Sequence, residues 1–154
     1  MAPRPPAAIA VGVAVCAALA GCGGSDAPAP AATPTQYIAA VERLLDPPAQ
    51  LASSIAERSA GTTAPAPPRR RLERIVAGAR DRLAEFRALK LGDATLRRQR
   101  DRLAGAYARM IPRMRTAADA LADGDRGAGL TAAAGPFLDD LHALPSAAVP
   151  SPSR

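Results

Sequence analysis

The chain has 154 residues, enough for one domain, and a formal net charge of +6. Its apolar half is mostly alanine with only four aromatics (Tyr37, Phe86, Tyr107 and Phe137), a composition that favours closely packed helices. Cysteine occurs only at Cys16 and Cys22, so the patterned remainder has no disulfide framework, thiol nucleophile or cysteine-based zinc site.

Residues 1–21 read as an export signal rather than as part of the fold. Arg4 supplies the positive start, and the run from Ala7 to Ala20 is uncharged. That run is about fourteen residues long, short of the roughly 20 that a spanning helix needs. Leu19-Ala20-Gly21-Cys22 follows it and resembles the lipobox of bacterial lipoprotein signal peptides. The resemblance covers the first 22 residues. It implies cleavage between Gly21 and Cys22 and attachment of diacylglycerol to the Cys22 thiol, with the product held on the outer face of the cytoplasmic membrane. The chemistry suits these residues: a deprotonated thiol is a nucleophile, and Ala20 and Gly21 are small enough to enter a peptidase cleft. Two or more acyl chains, palmitate among them, anchor stably where one does not. The plainer alternative is an ordinary secretory signal with a chance cysteine. Cys16 lies inside the apolar run and reads as a small hydrophobe that is discarded.

Residues 22–33 form the expected tether, flexible at Gly23-Gly24 and stiffer where proline alternates. At about 3.1 Å per residue it would lift a domain roughly 30 Å from the lipid. No binding role is assigned to it.

The domain is expected over 34–145. Thr33 and Gln36 form a capping box with Pro34 at the first helical position. A helical stripe follows through Val41, Leu44, Leu51 and Ile55, interrupted at Asp46-Pro47-Pro48. Proline removes a helical donor, so a kink or a break is expected there; the stripe keeps its phase, which favours a kinked single arm. After a linker at 60–68, a second helix runs from about Arg69 to Lys90 with Leu72, Ile75, Val76, Ala79, Leu83 and Phe86 on one face. Gly92-Asp93 is a stop followed by a cap. In the third helix Leu96, Leu103, Met110 and Ala117 recur every seven residues, as do Tyr107, Met114 and Leu121, and Pro112 should bend it. Gly124-Asp125 repeats the stop and cap before a weaker fourth helix carrying Leu130, Phe137, Leu141 and Leu144, with Gly135-Pro136 in its middle. Residues 146–154 read as a disordered tail. The fold class is therefore all-α, an antiparallel three- to four-helix bundle with a proline-kinked first helix.

Charge is segregated along the chain. From Arg69 to Arg115 there are fifteen basic residues against five acidic ones. Lys90 is the one lysine, and arginine in company with abundant Ala, Gly and Pro follows GC-rich codons, so the arginine total is not by itself a sign of phosphate recognition. Arg98, Arg102, Arg109 and Arg113 fall within about a 60° sector of the third helix, opposite its apolar stripe. They are the candidates for binding an anionic partner: lipid headgroups, cell-wall polymers or an acidic protein. The plainer reading is a solvated face, partly neutralised by pairs such as Arg69/Glu73 and Asp93/Arg97. Arg100 falls among the core positions and either marks a polar pocket or buries its stem and extends its head to water.

No chemistry stands out beyond this. Met110, Met114 and His142 could suggest a soft-metal site, but the methionines lie on the core stripe. A di-metal bundle needs two Glu-x-x-His motifs, whereas the chain has one histidine, in Asp139-x-x-His142. His142 is the sole histidine base available to a serine hydrolase, and Ser53 and Ser54 sit within helical pattern without a nucleophile elbow. No cofactor, no catalytic residue and no nucleic-acid partner are expected: nucleic acid is a poor candidate outside the cytoplasm, and no aromatics interleave the arginines as a stacking platform would need. The mature part is broadly similar to small helical envelope lipoproteins of high-GC Gram-positive bacteria. The resemblance is one of pattern and transfers no functional residue. The expected function is a membrane-anchored, non-enzymatic module that binds or scaffolds an envelope protein, the alternative being a binder of anionic ligands through the arginine face.

Overall fold

In the computed structural model, residues 30–61 and 65–148 are described. They form four helices: α1 (Pro34–Ser59), α2 (Arg69–Ala88), α3 (Ala94–Ala122) and α4 (Gly127–Ala148). Each packs antiparallel on the next, and α1 closes the bundle against α4. Among the described residues there is no strand; the one β-type pairing is an isolated parallel bridge between Ala32 and Leu91. No described helix is long and apolar enough to cross a membrane.

The helix starts follow local chemistry. Thr33 Oγ1 accepts from the Gln36 amide at 3.2 Å while Gln36 Oε1 accepts from the Thr33 amide at 2.8 Å, so the capping box satisfies two orphan donors of α1. Asp93 caps α3 by accepting from the Leu96 amide at 2.8 Å. By contrast α2 starts after Pro68 with no side-chain cap and with Arg69, Arg70 and Arg71 at the positive end of its dipole.

The helix ends are set by glycine in two places. Gly124 has φ +82°, and its amide bonds to the Leu121 carbonyl while that of Asp125 bonds to the Ala120 carbonyl, a Schellman closure of α3. Gly61, at φ +73°, ends α1 with its amide on the Arg58 carbonyl.

The core follows the stripes read from sequence, with Val41, Leu96 and Leu141 only half-buried at its edge. Leu44, Leu51, Leu72, Phe86, Leu103, Tyr107, Met110, Met114, Leu121, Leu130 and Phe137 are all fully buried. Each contributes roughly 1.5–3 kcal/mol by leaving water. Buried Ala79, Ala104, Ala117, Ala118 and Ala134 let the helices approach closely. Tyr37 and Phe86 tie the start of α1 to the end of α2, their ring centroids 5.8 Å apart.

Pro47 and Pro48 do not break α1, which is one helix through residue 59. Each removes an intrahelical donor, but both rings are buried, between Leu44 and Leu51 at zero exposure. Burial on both sides of the pair holds the helix together across the missing bonds. Likewise α4 continues through Gly135-Pro136, because Ala134 and Phe137 on either side are fully buried. It also runs on through Pro145 to Ala148, three residues into the stretch expected to be a disordered tail. Proline's fixed φ is compatible with helix, and buried Leu144 secures that last part. Residues 149–154 lie outside the described residues, as do 1–29.

Candidate functional site

Two surfaces of the bundle gather charge around apolar groups, and they lie at opposite ends. The contacts that fix the ends are the Tyr37–Phe86 pair at one and the Arg58 guanidinium on the Gly124 carbonyl (3.2 Å) at the other.

The first surface is a groove of about 520 Å³ between the outer sides of α2 and α3. Leu72, Val76, Ala118 and Ala122 line its apolar part; Arg69, Glu73, Arg80, Arg115, Asp119 and Asp123 supply its charge. Arg69 does not pair with Glu73 as the helical spacing suggested. It crosses to α3 and bonds both Asp119 (3.4 Å) and Asp123. Two carboxylates one turn apart offer a better partner than a single one on its own helix, and they neutralise an arginine that α2's dipole disfavours. Arg80 and Arg115 have no such engagement; with Arg69 they balance the three carboxylates of the lining, Glu73, Asp119 and Asp123, and leave two unpaired guanidinium groups on the rim.

The second surface is the corner where α2 turns into α3. Leu89 is extended, Leu91 is buried, and every carbonyl from 89 to 92 finds a donor. Arg100 Nη1 donates to the Leu89 carbonyl (2.7 Å), and Arg97 Nη1 donates to those of Leu91 (3.0 Å) and Gly92 (2.8 Å). The Lys90 carbonyl accepts from the Ala32 amide at 2.7 Å, so the end of the expected tether is docked here. The second predicted pair, Asp93/Arg97, is thereby replaced: Asp93 caps α3 and Arg97 serves the turn. Arg100 resolves as a stem-burying arginine whose head turns to Leu89 and Asp101 instead of water. Burial pushes the Tyr37 hydroxyl above its ordinary range, and the charge of Arg100 opposes that shift.

The four arginines of the predicted face are exposed but do not act as one stripe. Arg98 rests on the Thr95 hydroxyl (3.2 Å), and Arg102 is unengaged. Arg109 folds back over Gly105, where a Cβ would stand 3.7 Å from its Nη1. Arg113 is committed to α4: it ion-pairs with Asp140 and donates to the Pro136 carbonyl at 3.4 Å. Sequence spacing could not show that α4 lies within reach of Arg113.

The remaining candidates separate. Met110 and Met114 are fully buried while His142 is exposed, so the three do not meet. Ser54 is buried and donates to the Gln50 carbonyl (3.1 Å); Ser53 is exposed. Among the described residues no group of three or more His, Cys, Asp or Glu could hold a metal. Gly21 and Cys22 lie outside the described residues. The groove and the carbonyl-binding corner were not read from sequence, since Asp119 and Asp123 point to Arg69 only once the antiparallel register of α2 on α3 is known.

No family model, curated protein or solved structure matches the chain.

Proposed function

We propose that the chain is an envelope lipoprotein, anchored through lipid on Cys22 at the outer face of the cytoplasmic membrane, whose bundle binds or scaffolds another envelope protein and is not a catalyst. The lipobox-like Leu19-Ala20-Gly21-Cys22 supports the anchor. The observation that carries the binding role is the α2–α3 groove, where accessible Ala77 and Ala122, over buried Leu72 and Val76, lie beside the Arg69–Asp119–Asp123 clamp and unengaged Arg80 and Arg115. An apolar floor with a few fixed polar groups at its rim is the usual form of a site for a partner's side chains. The groove lies toward the end of the bundle away from Ala32, so a tethered domain would present it outward. The arginines suit a segment with an apolar anchor and a flanking carboxylate.

Two measurements test this. Mass spectrometry of the membrane fraction should find diacylglyceryl-Cys22 at the mature N-terminus, and Cys22→Ser should release the protein from that fraction. A photocrosslinker at Ala77 or Ala122 should trap a protein partner in the native envelope, whereas one at Asp139 should not. Adducts of equal yield from all three positions would end the groove reading.

The alternative, an anionic ligand on the arginine face, is supported for a shorter set than expected. Arg98, Arg102 and Arg109 stay exposed and free of carboxylates, while Arg113 is taken by Asp140.

A further inference from the structure

We propose that the end of the bundle where the tether docks is itself a membrane-contacting surface, seated on anionic lipid headgroups through Arg87, Lys90, Arg98 and Arg102 and on the lipid interface through Ile38. The proposal extends the anionic-ligand reading and takes its direction from the anchor at Cys22.

Three independent observations converge on this end. The chain enters the fold here, pinned by the Ala32–Lys90 hydrogen bond. Only seven residues separate Cys22 from Pro30, a span of at most about 28 Å. A lipid on Cys22 therefore holds this corner closer to the membrane than α2's 20 residues allow for the far end, about 30 Å further along the helix.

Charge is concentrated at the same corner. From Arg82 to Arg102 there are seven basic residues and three acidic ones. All three acids are occupied, Glu85 by Arg82, Asp93 as the α3 cap and Asp101 by Arg100. Arg87, Lys90, Arg98 and Arg102 are exposed and have no carboxylate partner among the described residues. The neighbouring segments, 30–41 and 141–148, carry no Asp or Glu. At the far end, by contrast, Glu57, Glu73, Asp119, Asp123 and Asp125 are interspersed among the arginines. The outward-facing apolar group is here too. Ile38, 58% exposed, is the one exposed large hydrophobic residue among those described, and it sits in the second turn of α1 beside the Tyr37–Phe86 contact. A basic ring with one protruding aliphatic side chain suits an anionic lipid interface, where charge draws the surface down and the aliphatic group enters the headgroup boundary.

The test uses the chain from residue 22 onward with Cys22→Ser, which contains the whole bundle and no lipid, and sedimentation with vesicles of phosphatidylcholine alone or mixed with phosphatidylglycerol. Binding is expected to the mixed vesicles and not to the neutral ones, and to weaken as salt rises. Arg87→Gln, Lys90→Gln, Arg98→Gln and Arg102→Gln should each reduce affinity about fivefold. Arg70→Gln, Arg71→Gln, Arg74→Gln and Arg126→Gln together, at the far end, should change it less than about twofold. Ile38→Ser should weaken binding at high and low salt alike, since apolar burial is not screened. Equal losses from the two arginine groups would overturn the proposal, as would absence of binding to the mixed vesicles. Dimerisation through Ile38, abolished by Ile38→Ser with vesicle binding intact, would reassign that residue to self-association. Circular dichroism melts confirm that each variant is folded. Because the chain tested carries no lipid, a negative result leaves the Cys22 anchor and the groove standing, and failure of acylation at Cys22 leaves a positive result standing.

Discussion

The amide of Ala32 donates to the carbonyl of Lys90 across 2.7 Å, tying the segment before α1 to the turn between α2 and α3. The contact makes the start of the domain part of the bundle rather than a loose lead-in. Ala32→Pro deletes the donor and is expected to lower stability by about 1 kcal/mol. Hydrogen exchange checks it directly: the Ala32 amide should be protected in the parent chain, and exchange at the unprotected rate would contradict the docking. Gly92→Ala probes the same place from the other side, since an added Cβ would stand 3.3 Å from Ala31 Cβ.

Caps give a second prediction. Asp93→Ala removes the side-chain cap of α3, and Thr33→Ala removes the threonine half of the capping box of α1; each should cost about 1 kcal/mol in urea unfolding. Mutating the residue before α2 should cost far less, because Pro68 makes no side-chain cap.

Tyr107 gives the third. Its ring is fully buried among the core residues, and its hydroxyl has no hydrogen-bond partner among the described residues. Burial pushes that hydroxyl far above the ordinary tyrosine range, with the Asp46 carboxylate adding to the shift. In the unfolded chain the same group ionises near the ordinary tyrosine value of about 10. Above that pH the unfolded state loses its proton while the folded state keeps it. Stability is therefore full below pH ~10 and falls with rising pH, by about 1.4 kcal/mol per unit from this residue. Tyr107→Phe should flatten the decline in thermal melts taken across the alkaline range. At neutral pH it should leave stability unchanged or raise it by up to about 1 kcal/mol, since the unpaired hydroxyl is lost and the ring retained. A large destabilisation at neutral pH would mean that the hydroxyl is bonded.

Two glycines should respond oppositely to alanine. At Gly124 the backbone is left-handed, φ +82°, and Gly124→Ala should cost about 1–2 kcal/mol. Gly78, inside α2, has open space where a Cβ would go, and Gly78→Ala should stabilise by about 0.5–1 kcal/mol. Guanidinium melts of the two variants decide both signs.

Much of the fold was legible because its signals are local. The Thr33–Gln36 capping box, the Asp93 cap and the glycine stop at 124 depend on residues a few positions apart, and each forms as read. The apolar stripes, including heptad-spaced Leu103, Met110 and Ala117, are buried for the same reason: helical periodicity alone decides which side chains share a face. The candidate site was less legible. Arg69 chose Asp119 and Asp123 over Glu73, Arg97 chose main-chain carbonyls over Asp93, and Arg113 chose Asp140. An exposed arginine has a long reach and a shallow preference among nearby acceptors, so its partner depends on what tertiary packing brings within that reach.

By itself, then, the order of residues determined four amphipathic helices, the caps of α1 and α3 and an all-α bundle, because those follow from backbone propensity and hydrophobic period. Tertiary structure alone decided that Arg69 crosses to α3, that Ala32 docks on Lys90, and that a groove opens between α2 and α3. Each of those outcomes depends on burial or hydrogen bonding between segments distant in sequence, and no local pattern carries that information.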